Sequence, residues 1–215
     1  MRSTQKSSLP YQRRATIKPG KLMAIRTSAL FCFALFGGAV LAAPTEVEIL
    51  TKPCAECHGS AGVSSTAKTP HLNSQLSEYL EEEISGLAKS TRASGVPNHV
   101  PKTWTGSEIA SVAKFYAASK EARPVQSSDP LEVAKGAEIY KKSCALCHPN
   151  NGRESDHDAP LMAAQNIDYM MEQTRAFVSG KRKFVFQMDD AFRGLSPAQL
   201  DSVAHFFGSQ DQFKK

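Results

Sequence analysis

Two thiols three positions apart, followed at once by an imidazole, occur twice in this chain: Cys54-Ala55-Glu56-Cys57-His58 and Cys144-Ala145-Leu146-Cys147-His148. Cys-x-x-Cys-His is the spacing of covalent c-type haem attachment. The two thiols add to the two vinyl groups of one porphyrin, and the adjacent histidine reaches the iron from one face. Two copies predict two covalently bound haem c groups, with iron supplying redox chemistry and the protein tuning it. Two Cys-x-x-Cys pairs could instead share one zinc. The immediate histidine in both copies and the long repeat around them argue for porphyrin.

His58 and His148 are the expected proximal iron ligands. A neutral imidazole that binds through Nε2 needs an acceptor for its Nδ1–H to fix ring orientation. The carbonyls of Pro70 and Pro160, each 12 positions after its histidine, are candidates; a plain turn is the other reading of both prolines.

The elements that must hold these groups come in two copies. Cys144 lies 90 positions after Cys54, and the same offset pairs Gly62 with Gly152, Pro70 with Pro160, Gln75 with Gln165, Tyr79 with Tyr169 and Arg92 with Arg182. A repeat this long exceeds solenoid periods and predicts duplicated domains. The polar stretch Glu121–Pro130, with two prolines, reads as the linker between them. Signals along both halves are helical. Asp129-Pro130-Leu131-Glu132 opens a helix that runs up to Cys144. Asn166 is placed to cap a helix through Phe177, and Ser196-Pro197-Ala198-Gln199 is a capping box for a last helix ending at Gly208. The first half repeats this with a helix near Ser74–Leu87 and another opened by Thr105 and Glu108. Ile109, Val112, Phe115 and Tyr116, and again Leu200, Val203, Phe206 and Phe207, fall at helical spacing and read as core. His205 reads as an ordinary surface or core histidine, and His157 as a solvated loop residue. The expected fold is all-α: two tandem helical domains of roughly 80–90 residues, each marginal on its own apolar core and completed by a haem in its interior.

The first 26 residues hold seven basic side chains and no acidic one, and an apolar run from Ala29 to Ala42 follows. That is the pattern of a secretory signal peptide spanning 1–42, cut after Ala42; an uncleaved anchor and a start at Met23 are the alternatives. The basic excess resides in this segment. Beyond it, 19 basic side chains face 21 acidic ones, a formal charge of −2, which removes any case for nucleic-acid binding. Cys32 leaves with the signal, and every remaining cysteine belongs to a haem motif.

Each half resembles a class I cytochrome c, and the pair resembles the diheme cytochrome c4 family. The matching features are Cys-x-x-Cys-His, then Pro70, Gln75 and Tyr79 in one half and Pro160, Gln165 and Tyr169 in the other. The likeness implies domains at 43–122 and 123–215, proline carbonyls that hold the proximal histidines, and Arg92 and Arg182 near haem propionates. It also implies a distal methionine ahead of the last helix. Met188, seven positions before Leu195, fills that place in the second half; its thioether favours Fe(II) and raises the potential. Met162, Met170 and Met171 read as core filler. The first half has no methionine between Ser60 and Trp104. Its corresponding loop, Gly95–Lys102, offers His99 between two prolines as the expected distal ligand, with Lys102, water or no ligand as alternatives.

These assignments imply a periplasmic electron carrier with a low-potential His/His haem and a higher-potential His/Met haem. It would have redox-protein partners, whether a respiratory complex at the membrane or a periplasmic dehydrogenase that it serves as an electron-accepting subunit. No small-molecule substrate is expected. The rival is a haem enzyme or gas sensor with a labile distal site on the first haem, which a high-spin fraction would reveal.

Overall fold

The computed structural model describes residues 45–155, 159–184 and 186–214, so the signal segment and His157 lie outside the described residues. Among the described residues eight helical elements follow in order: α1 Glu46–His58, α2 Ser77–Ala88, α3 Gly106–Ala118, α4 Pro130–Ser143, the four-residue turn α5 Pro149–Gly152, α6 Ile167–Val178, α7 Phe186–Phe192 and α8 Pro197–Gly208. Among the described residues there is no strand. The fold is all-α. None of the described helices is long and apolar enough to cross a membrane.

Local sequence accounts for most boundaries. Thr45 with Glu48, Thr105 with Glu108 and Ser196 with Gln199 form reciprocal capping boxes at α1, α3 and α8. Each satisfies two N–H groups that the first turn would leave unpaired. Asp129 caps α4 ahead of Pro130. Asn166 departs from expectation: it occupies the N-cap position of α6 without a capping hydrogen bond. Its amide instead donates to the carbonyls of Thr66 at 3.1 Å and Thr69 at 2.5 Å, in the other half of the chain. Ser74 is likewise not helical; its φ is +52° and α2 starts three residues later.

The helices pack as two lobes. In the first, α3 packs on α1 and α2, with Leu80, Val112, Ala113 and Tyr116 buried at the centre. In the second, α8 packs on α4 and α6, around Tyr140, Ile167, Met170, Ala204, Phe206 and Phe207. Met170 is thus core, as its position in α6 suggested.

A matched turn in each lobe carries the segment that follows the cysteine motif. The Gly62 carbonyl accepts from Leu72 N at 2.8 Å and Asn73 N at 3.2 Å; the Gly152 carbonyl accepts from Met162 N at 2.8 Å and Ala163 N at 3.0 Å. Both glycines sit at positive φ, +82° and +79°. A Cβ on Gly62 would lie 2.7 Å from a Tyr116 ring carbon, and one on Gly152 would lie 2.8 Å from the Phe207 ring. Only glycine meets both the left-handed backbone and the close approach.

The lobes meet through reciprocal polar contacts. Gln165 spans to His71, accepting from its N–H at 2.8 Å and donating to its carbonyl at 2.9 Å. Its repeat partner Gln75 does the same to Leu161, at 2.8 and 3.0 Å. Both glutamines are buried. The connecting segment is not a solvated linker: Arg123 is 3 % exposed. Its guanidinium donates to Asn73 Oδ1 at 3.0 Å, the Asn73 carbonyl at 2.7 Å and the Ala163 carbonyl at 3.1 Å. A buried cation with neutral partners is held by hydrogen bonds alone, and removing it would leave three acceptors unpaired, each costing about 1–3 kcal/mol.

Candidate haem sites and their histidines

In the first lobe α1 carries the cysteine motif within its last turns and ends at His58. In the second, α4 stops at Ser143, and Cys144 forms its C-cap. Among the described residues no disulfide joins Cys54, Cys57, Cys144 and Cys147.

The two histidines are held alike. His58 Nδ1 lies 2.9 Å from the Pro70 carbonyl, and His148 Nδ1 lies 2.8 Å from the Pro160 carbonyl. A carbonyl only accepts, so Nδ1 carries the proton in each ring and Nε2 keeps its lone pair for a metal. Burial, the largest cause, lowers both imidazole pKa values, and the carbonyl contacts oppose it. The neutral, ligating form is therefore favoured in both.

On the far side the lobes differ. The loop between Arg92 and Lys102 brings His99 opposite His58, with ring centroids 5.9 Å apart and planes within 7° of parallel. Two imidazoles bonded to one metal through ring nitrogens at about 2.0 Å would have centroids roughly 6 Å apart. That spacing accommodates an iron between the two rings. Ser94 Oγ sits 2.8 Å from His99 Nδ1, which leaves Nε2 as the available nitrogen. Burial, followed by the Arg92 charge, lowers the His99 pKa.

In the second lobe Met188 lies on the helix α7, not in an open loop, and is half-buried. Phe192, one turn further along α7, packs with Phe177 and Phe184 at centroid distances of 6.1 and 5.1 Å. The short helix was not foreseen, because Gln187-Met188-Asp189-Asp190 carries no cap signal.

Arg92 and Arg182 are drawn into the region between the lobes. Both pair with Glu83, Arg92 at 2.5 Å and Arg182 at 2.7 Å. Each also donates to the opposite lobe's tyrosine: Arg92 to Tyr169 at 3.1 Å, Arg182 to Tyr79 at 3.3 Å. Two guanidiniums on one carboxylate leave a net positive charge. Lys89 and Lys183 line the same cavity of about 320 Å³, together with Glu82.

Residues 133–211 match the cytochrome c family. A stretch of 69 residues, 32 % of this chain, is 35 % identical to the cytochrome subunit of sulfide dehydrogenase from Chlorobaculum tepidum. The match spans 62 % of that relative's length, under two thirds. The fold is similar to cytochrome c4 from Pseudomonas stutzeri, with a TM-score of 0.65 at 19 % identity over 76 % of this chain and 96 % of that one. Cytochrome c4 from Acidithiobacillus ferrooxidans is equally similar, at 0.65 and 23 % identity over 74 % and 99 %. Thiosulfate dehydrogenase from Marichromatium purpuratum scores 0.64 at 22 % identity, covering 74 % of this chain and 36 % of that protein. With the duplicated motif these likenesses support covalently bound haem c as the cofactor, and two haems fit the tandem architecture. Residues 133–211 thus resemble the cytochrome c family, and the described residues together have the fold of the diheme cytochromes c4.

Proposed function

We propose that this protein is a periplasmic diheme electron carrier. Cys54 and Cys57 tether one haem and Cys144 and Cys147 the other; His58 and His99 ligate the first iron, His148 and Met188 the second. Haem c supplies a one-electron Fe(III)/Fe(II) couple. The chain supplies the difference between the two couples. His99 offers a nitrogen ligand that favours Fe(III), whereas Met188 offers a thioether that favours Fe(II). Electrons then run downhill from the first lobe to the second. Arg92, Arg182 and the flanking lysines carry the positive charge that propionates require. What supports this reading above all is the parallel pair His58 and His99 at 5.9 Å.

The partners are redox proteins. The two dehydrogenases among the similar proteins support a donor that oxidises a reduced sulfur compound, with this chain as electron acceptor and a terminal oxidase or reductase downstream. Low-temperature EPR of the wild type and of His99→Ala tests the ligand assignment. Two low-spin signals are expected, of which the variant converts only one to high spin. A wild type that already holds a high-spin haem in the first lobe would favour an open-site haem enzyme or sensor instead.

A further inference from the structure

Each proximal histidine leans on a peptide group that the opposite lobe holds. The carbonyl that accepts from His58 Nδ1 belongs to the Pro70–His71 peptide, and the N–H of that same peptide donates to Gln165 Oε1 at 2.8 Å. The chain of contacts reads His58 Nδ1–H, Pro70 carbonyl, His71 N–H, Gln165 Oε1. In the second lobe it reads His148 Nδ1–H, Pro160 carbonyl, Leu161 N–H, Gln75 Oε1, with closing distances of 2.8 and 2.8 Å. Each Oε1 is also fixed from its own side, by Leu76 N at 3.0 Å and Asn166 N at 2.9 Å. The acceptors are thus aimed, not mobile.

We infer that Gln165 and Gln75 are positioning residues that set the donor strength of the proximal histidine in the lobe opposite their own. An amide whose N–H is engaged has a more negative carbonyl oxygen, since hydrogen bonds in series polarise one another. The stronger acceptor draws the Nδ1 proton and makes the imidazole a more basic ligand. A more basic ligand stabilises Fe(III). Gln165 therefore lowers the potential of the first haem although it belongs to the second lobe, and Gln75 lowers that of the second. The inference rests on His58 and His148 as proximal ligands and needs neither distal assignment.

The test is an EPR-monitored potentiometric titration of the intact two-haem protein, which reads the two centres separately. Gln165→Met removes the acceptor at similar length. The oxidised-to-reduced ratio of the first haem at fixed ambient potential should fall at least threefold, about 28 mV at 59 mV per decade, with the second haem nearly unmoved. Gln75→Met should give the reverse. Asn166→Ala cuts a different contact between the lobes and should leave the first potential in place. Gln165→Glu keeps an oxygen toward the His71 N–H and covers the case in which the methionine variant does not fold; the first potential should not rise. The inference is overturned if both haems shift together in Gln165→Met, if neither shifts, if Asn166→Ala matches its effect, or if Gln165→Glu raises the first potential. Loss of either haem from the wild type would instead refute the underlying site assignment.

Discussion

The two lobes share a proximal side and differ on the distal one. Proline carbonyl, left-handed glycine turn and cross-lobe glutamine recur at equivalent positions, with distances that agree within 0.2 Å. Near His58 the first lobe has a loop with His99, whereas the second lobe's candidate, Met188, lies on a short helix whose Phe192 joins an aromatic cluster. On the ligation proposed above, the shared side attaches and orients the haem and the differing side sets its potential.

Three experiments probe that contrast. The largest effect should come from removing attachment in one lobe at a time. Cys54→Ala with Cys57→Ala, or Cys144→Ala with Cys147→Ala, should each cost one haem by intact mass and unfold the lobe that loses it, because a helical unit this small lacks a sufficient apolar interior. Retention of two haems in either variant would break the equivalence of the sites. Next, exchanging the distal side should erase the difference. Met188→His should lower the second potential toward the first, by at least a hundredfold in the oxidised-to-reduced ratio, about 118 mV at 59 mV per decade. An unchanged potential would remove Met188 from the iron.

The smallest effect is a pH dependence confined to the first lobe. His71 is 2 % exposed and its Nδ1 accepts from the Ser64 N–H at 3.0 Å. Burial first, then the Arg123 charge, push its pKa down to about 4. The folded state therefore binds fewer protons than the unfolded state between about pH 6.5 and pH 4. Stability is full above that window and falls as the pH drops through it. The equivalent residue in the second lobe is Leu161. His71→Leu should flatten the acid limb of the urea midpoint between pH 7 and pH 4.5; a limb that persists unchanged would assign it to other groups.

The short-range features were legible in the sequence. Thr105 with Glu108 and Ser196 with Gln199 announce their helices because a capping box is complete within four residues. The motif histidines were readable for a similar reason; Pro70 and Pro160 stood open between an acceptor and a plain turn, which the family resemblance and then the contacts at 2.9 and 2.8 Å decided. What escaped depends on contacts far apart in the chain. Gln75 and Gln165 stood out as markers of the repeat and of the family likeness, with no role, since their partners lie 86 and 94 positions away. Asn166 looked like a cap because its donor role toward Thr66 and Thr69 exists only once the lobes meet. Arg123 sat in a polar, proline-bearing stretch whose composition suggested solvent. The burial of that guanidinium follows from Asn73 and Ala163 closing over it.

The reciprocity of the glutamine contacts has an ancestral implication. A surface in which position 75 meets 161 while 165 meets 71 is the isologous arrangement of a two-fold symmetric dimer. Gene fusion of two identical monohaem subunits would preserve such a joint and then release each copy from identity with the other. The segment around Arg123 would be the later suture, and His71 standing where the second lobe has Leu161 a mark of the symmetry having since relaxed.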